Sequence, residues 1–254
     1  MNYSLFFKPL RLIERAALEI GRRRRFKKLK NTPANGLGLG HIDSLELLEI
    51  IKNEAKLKNP VIFDIGSNIG TWTLLAKAIF PDAQVHAFEP LANHITEFNK
   101  SCSKLPAVHL HDFCVGNENT TGIINVSTFT DSSSLLEATP LEFEHFSIKK
   151  ATEQSVQIKK LSDLIADKAL PVPDIIKLDI QGFELEALKG LESWLNSVKY
   201  IICEVSFKEY YYGQPYFLDI ANYLAQYNIQ LFAFGNNTPI GLELNQIDVL
   251  FKHI

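Results

Sequence analysis

From Val61 onward, short apolar runs alternate with stretches of helical period. The runs are residues 61–65, 84–88, 107–115, 175–178, 200–205, 230–234 and 247–251, each bounded by polar or turn-forming residues. Near-continuous Ile, Val, Leu and Phe over so few positions predicts strands buried on both faces. Between them, residues 71–79, 93–102 and 183–195 read as helices. The rhythm predicts an α/β fold, a doubly wound and mainly parallel seven-stranded sheet. Residues 121–127 and 155–159 instead alternate apolar and polar positions. They predict an inserted strand pair, and residues 131–153, rich in Ser and Glu with no core pattern, predict a mobile loop beside the site.

Upstream, residues 5–20 form a helical pattern with Leu10, Ile13, Ala17 and Ile20 near one face, running into Arg22 to Arg25, Lys27, Lys28 and Lys30. Cations there suit the helix dipole. The segment reads either as the solvated end of a packing helix or as an amphipathic element for an anionic membrane surface or a partner protein. Residues 31–40, with Pro33 and three glycines, predict a hinge. Asp43 followed by Glu46 predicts a capping box opening a helix to Leu57, with Leu47, Leu48, Ile51 and Ala55 facing inward. Residues 1–58 are therefore expected to be a helical extension and 59–254 the main domain.

Charge changes that picture in one respect. Residues 1–40 hold ten Lys or Arg against two Glu, leaving 16 Lys or Arg against 27 Asp or Glu in the rest. An acidic body argues against nucleic acid lying across it, because phosphate binding needs a basic groove. Cys102, Cys114 and Cys203 form no CxxC spacing and are expected to be reduced core thiols. With no apolar run near the ~20 residues of a membrane span and no signal-peptide pattern, a cytoplasmic protein is expected.

The chemistry concentrates at strand ends. Residues 61–70 read VIFDIGSNIG: a strand, an acid at Asp64, and a glycine turn through Gly66, Ser67, Asn68 and Gly70 into a helix. Glycine lets backbone approach a ligand, and Asn tolerates a left-handed conformation. The pattern is DxGxNxG rather than the dinucleotide GxGxxG. Glu89, followed by Pro90, ends the next strand, where a carboxylate accepts both hydroxyls of a ribose, in NAD or S-adenosylmethionine alike. Asp112 and Phe113 lie near the end of the third strand, placed to meet an adenine. In residues 175–190, IIKLDIQGFELEALKG, Lys177 and Asp179 break a buried strand's apolar run. Unpaired charge in a core is costly, so these residues serve a reaction site or an ion pair that pins the turn, with Glu184 as a further partner.

DIGSNIG, FEP, SSSLLE at 132–137, KLDIQGFELEALKG and the CEV of 203–205, in this order, resemble the FkbM-type methyltransferase family over roughly residues 61–251. The resemblance implies a class I S-adenosylmethionine-dependent methyltransferase (Rossmann-like) fold and O-methylation of a saccharide or small natural product. It places the methionine portion of the cofactor on Asp64 and the glycine turn, the ribose on Glu89, and the adenine on Asp112 and Phe113. The family's commonest form has Glu where this chain has Gln181.

An alcohol must lose its proton as the methyl arrives. Asp179, Glu204 or Glu184 is expected to take it as general base; a divalent cation held by the same carboxylates is the less favoured route. His86, His94, His109, His111 and His145 are weaker candidates, and Tyr210 to Tyr212 either stack on a sugar or close the core. Two other readings stand beside this one. An NAD-dependent oxidoreductase shares the fold but lacks its usual TyrxxxLys pair here, and a non-catalytic cofactor-binding module would keep the fold without turnover.

Overall fold

The computed structural model describes residues 8–128, 132–146, 150–236 and 243–254. Helix α1 (Lys8–Lys28) leads through a 3-10 turn at Leu39–His41 into α2 (Ile42–Ala55). There follow β1 (Val61–Ile65), α3 (Thr71–Ile79), β2 (Gln84–Phe88), α4 (Ala92–Cys102), β3 (Val108–His111), β4 (Cys114–Val115) and β5 (Thr120–Ser127). The second half holds α5 (Pro140–Phe146), β6 (Lys150–Lys159), α6 (Leu161–Ala166), β7 (Ile175–Leu178), α7 (Glu184–Lys189), β8 (Tyr200–Ser206), α8 (Phe217–Ala225), β9 (Ile229–Phe234) and β10 (Gln246–His253).

Seven strands form one sheet in the order β3-β2-β1-β7-β8-β10-β9. All neighbours are parallel except β10, which runs antiparallel to both β8 and β9. This is the expected class I methyltransferase topology. The strand order reverses at β1, which pairs β2 on one side and β7 on the other. A crevice opens beyond the carboxyl ends of the strands at such a switch point.

Helices cover both faces. On one, Leu47, Leu48 and Ile51 of α2 pack with Leu75 and Ile79 of α3 onto Ile62, Val85 and Ile202. On the other, Leu161, Leu188 and Leu224 of α6, α7 and α8 pack onto Phe63, Ile176, Ile201 and Val249. Thus α2 shares the core of the sheet, while Ala55 at its end is only partly buried.

Several local expectations are corrected. Helix α1 continues through the basic run, and Ile13, Ala17 and Ile20 are exposed. Leu10's side chain and residues 1–7 lie outside the described residues. Asp43 is no cap: α2 begins one residue earlier, His41 holds the N-cap position without a side-chain bond, and Glu46 instead accepts from Arg25 at 2.5 Å. The run 107–115 splits at Asp112, because the chain leaves the main sheet for a small second one, order β4-β6-β5. The helix expected over 183–195 ends at Lys189, and Glu192, at φ +51°, breaks its path before a 3-10 segment, Glu192–Ser197. The expected loop at 131–153 contains α5 and the start of β6; residues 129–131 and 147–149 lie outside the described residues.

Candidate active site

A cavity of about 840 Å³ lies at the switch point, within the size range of small-molecule sites. Its floor is the turn after β1. Gly66 (φ +78°) carries no side chain because a Cβ there would sit 2.0 Å from the Asp179 carbonyl oxygen. Asn68 takes the left-handed conformation, φ +48°. Gly66 and Ser67 donate backbone N–H groups to the Phe88 carbonyl, which ties the turn to the end of β2.

Glu89 stands next in the wall. Its Oε2 accepts from the Asn68 N–H at 2.9 Å, and its Oε1 accepts from the Leu91 N–H at 3.0 Å and lies 3.2 Å from His94 Nδ1. A carboxylate offers roughly four acceptor positions, so about one remains for a ligand. Ser67 Oγ and Trp72 Nε1, both in buried residues that line the cavity, have no hydrogen-bond partner among the described residues. Buried donors are almost always satisfied, so these two atoms are open to a polar partner in the cavity.

At the other end of the cavity, carboxylates gather around one ammonium. Lys177 Nζ donates to the Gly66 carbonyl at 2.8 Å and lies 3.5 Å from Asp64 Oδ1 and 3.6 Å from Asp179 Oδ2. Burial alone would lower its pKa, but Asp179, Asp64, Asp248 and Glu204 outweigh burial and raise it. Gln181 Nε2 donates to Asp179 Oδ1 and Glu204 Oε2, at 2.9 Å each, and its Oε1 accepts from the Tyr211 hydroxyl at 3.0 Å. Burial, then Asp179 and Asp248, push the Glu204 carboxyl well above the usual range. Burial likewise raises Asp248 and Glu142, each to about 7. Asp179, with its side chain 40% exposed, is the open carboxylate of the group.

A family model, the methyltransferase FkbM domain, matches residues 64–231. The chain belongs to the FkbM methyltransferase domain family. Over 162 residues it is 28% identical to the hexuronic acid methyltransferase AglP of Haloferax volcanii, covering 63% of this chain and 61% of that protein. It is 25% identical to the 2-O-methyltransferase NoeI of Sinorhizobium fredii, covering 67% and 73%. The chain thus spans about three-fifths of the first of these relatives. Among solved structures, magnesium protoporphyrin IX methyltransferase from Synechocystis superposes with a TM-score of 0.49 at 13% identity, covering 93% of this chain and 91% of that one.

Of the residues singled out in this FkbM sequence, Gly66, Ser67, Asn68, Glu89, Pro90, Phe113, Lys177, Asp179 and Glu204 line the cavity. Four others do not. Asp64 is fully buried behind the turn, where it accepts from Thr73 Oγ1 at 2.6 Å; burial raises its pKa, against Lys177 and Thr73. Gly70 caps α3 at φ +90°, where a Cβ would strike Cys102 Sγ at 2.6 Å, so close helix packing accounts for it. Asp112 is exposed outside the wall. Glu184 is buried, accepts from the Ile180 and Gly182 N–H groups, and so pins the turn after β7 without itself lining the cavity.

His94 and His145 reach the cavity, whereas His86, His109 and His111 stack together in a separate cleft. Tyr210 and Tyr211 are buried, as core closure requires, whereas Tyr212 is 51% exposed. Asp43, Trp72, Glu142, Gln246 and Asp248 also line the cavity and were not foreseen as site residues. Asp248 carried the signal that exposed Lys177 and Asp179, a charge inside an apolar strand. Glu142 carried none, since its segment has no periodicity.

Proposed function

We propose that this FkbM domain methylates a hydroxyl oxygen of a saccharide or small natural product, using S-adenosylmethionine. The observation that carries the reading is the open Asp179 carboxylate, held by Gln181 in the same cavity as Glu89 and the Gly66 turn. The names of the relatives point the same way: one is a hexuronic acid methyltransferase, another a 2-O-methyltransferase.

Glu89 would hold the ribose through its remaining acceptor position, Ser67 and Trp72 would satisfy polar atoms of the cofactor, and Phe113 would flank the adenine. S-adenosylmethionine supplies an electrophilic methyl group on a sulfonium sulfur. The protein's task is orientation, worth up to roughly 7 to 11 kcal/mol in favourable cases, and removal of the acceptor's proton. Asp179 takes that proton at Oδ2, since its Oδ1 is engaged by Gln181. Burial and neighbouring carboxylates push the Glu204 and Asp248 carboxyls up, whereas Asp179 is the carboxylate open to the acceptor. Among the described residues no group of three or more His, Cys, Asp or Glu is arranged for a metal ion.

The acidic cavity favours an uncharged acceptor over a nucleic acid. Unpaired thiols at Cys102, Cys114 and Cys203 support a reducing, cytoplasmic compartment. Asp179→Asn is the direct test of the chemistry. It should lower kcat by on the order of a hundredfold or more while leaving S-adenosylhomocysteine affinity within a few-fold. Loss of cofactor affinity with kcat preserved would remove Asp179 from the reaction.

A further inference from the structure

Every residue of α1 from Ala16 to Ile20 is exposed, so this part of the helix stands clear of the body. Ile13, Leu18 and Ile20 are 65%, 65% and 52% exposed, and Ala16 and Ala17 are exposed beside them. At about 100° per residue, Ile13, Ala16, Ala17 and Ile20 fall within about a third of the helix circumference. The same side continues into Arg24, Lys27 and Lys28, all exposed and, among the described residues, without an acidic partner. The body takes up other positions of this segment. Arg25 pairs with Glu46 and Glu49 of α2, and Phe26 and Leu29 join the core under α2 and α3.

The helix is also tied to the rim of the cavity. Arg22 Nη2 donates to Asn236 Oδ1 at 3.2 Å, and Asn236 Nδ2 donates in turn to Asp43. Asn236 and Asp43 both line the cavity.

We propose that α1 docks this protein on an anionic lipid surface. Ile13, Ala17 and Ile20 enter the boundary between headgroups and acyl chains, and Arg24, Lys27 and Lys28 meet lipid phosphates. An apolar stripe running into unpaired cations suits such a surface, which offers hydrocarbon and negative charge at adjacent depths. Nucleic acid would use the cations and leave Ile13 and Ile20 in water. No described helix is long and apolar enough to cross a membrane, which fits a helix lying in the interface.

The test is sedimentation of the full chain with phosphatidylcholine vesicles, with and without phosphatidylglycerol. Binding is expected only with the anionic lipid and should weaken as salt rises. Replacing Arg24, Lys27 and Lys28 together by Gln should weaken it on the order of a hundredfold, from about 1 kcal/mol per cation. Ile13→Ser with Ile20→Ser should weaken it at least about tenfold, from the burial of two apolar side chains. Both variants should keep the parent's thermal midpoint, because the altered side chains are exposed. Three results would each overturn the proposal: equal binding to neutral vesicles or none to either, full binding by the Ile13/Ile20 variant, or tighter binding to soluble polyglutamate than to the anionic vesicles.

Discussion

The side-chain amide of Gln181 donates to the Asp179 carboxylate at 2.9 Å, and with its second N–H it reaches Glu204 at the same distance. Gln181 is thus the residue that orients the open carboxylate. A neutral amide can bridge two carboxylates, whereas an ionised third would repel both. Gln181→Glu should therefore lower kcat/KM, because a third carboxylate repels Asp179 and Glu204 and removes the N–H groups that hold them. An unchanged kcat/KM would mean that Gln181 does not orient the reacting carboxylate.

Stability should also depend on pH through the buried acids. Asp248, Glu142 and Glu184 are each raised to about 7, burial being the largest cause for all three. Between about pH 4, where such groups titrate in the unfolded chain, and about pH 7, the folded protein binds more protons than the unfolded one. Their stabilising contribution is complete below the unfolded pKa and is lost as pH rises through the folded value. The ligand-free thermal midpoint should fall over that window, and Asp248→Asn should flatten the fall. A midpoint rising steadily from pH 4 to pH 7 would contradict the assignment.

Two glycines with similar backbone angles separate close approach from strain. Gly66 (φ +78°) would place a Cβ 2.0 Å from the Asp179 carbonyl, whereas Gly213 (φ +75°) has nothing within 4 Å. Gly213→Ala should cost about 1 kcal/mol for its positive φ, and Gly66→Ala at least about 2 kcal/mol more, because two strand ends must part. Denaturant unfolding of both variants measures the difference. Equal costs would show that the turns after β1 and β7 are not rigidly apposed.

The sheet was legible because buried parallel strands write near-continuous apolar runs, and Val61, Gln84 and Ile175 begin strands where the pattern placed them. What failed to show were events that turn on tertiary contact. Asp43 and Glu46 have the spacing of a capping box, but Asn236 and Arg25 claim their side chains instead. Glu184 looked like a site acid because it follows Asp179 so closely, yet the backbone N–H groups of Ile180 and Gly182 bind it inside the turn. Gly70 and Asp64 belong to the motif through packing and burial rather than through the cavity wall. Glu142 enters the cavity from an inserted helix whose sequence gives no period to read.

The central claim is that the cavity takes S-adenosylmethionine, and calorimetric titration of the purified chain tests it most directly. S-adenosylmethionine and S-adenosylhomocysteine should each bind with single-site stoichiometry and micromolar affinity, roughly −8 kcal/mol, and NAD should give no heat of binding. Binding of NAD with no binding of either sulfur ligand would contradict the account and assign the cavity to hydride chemistry.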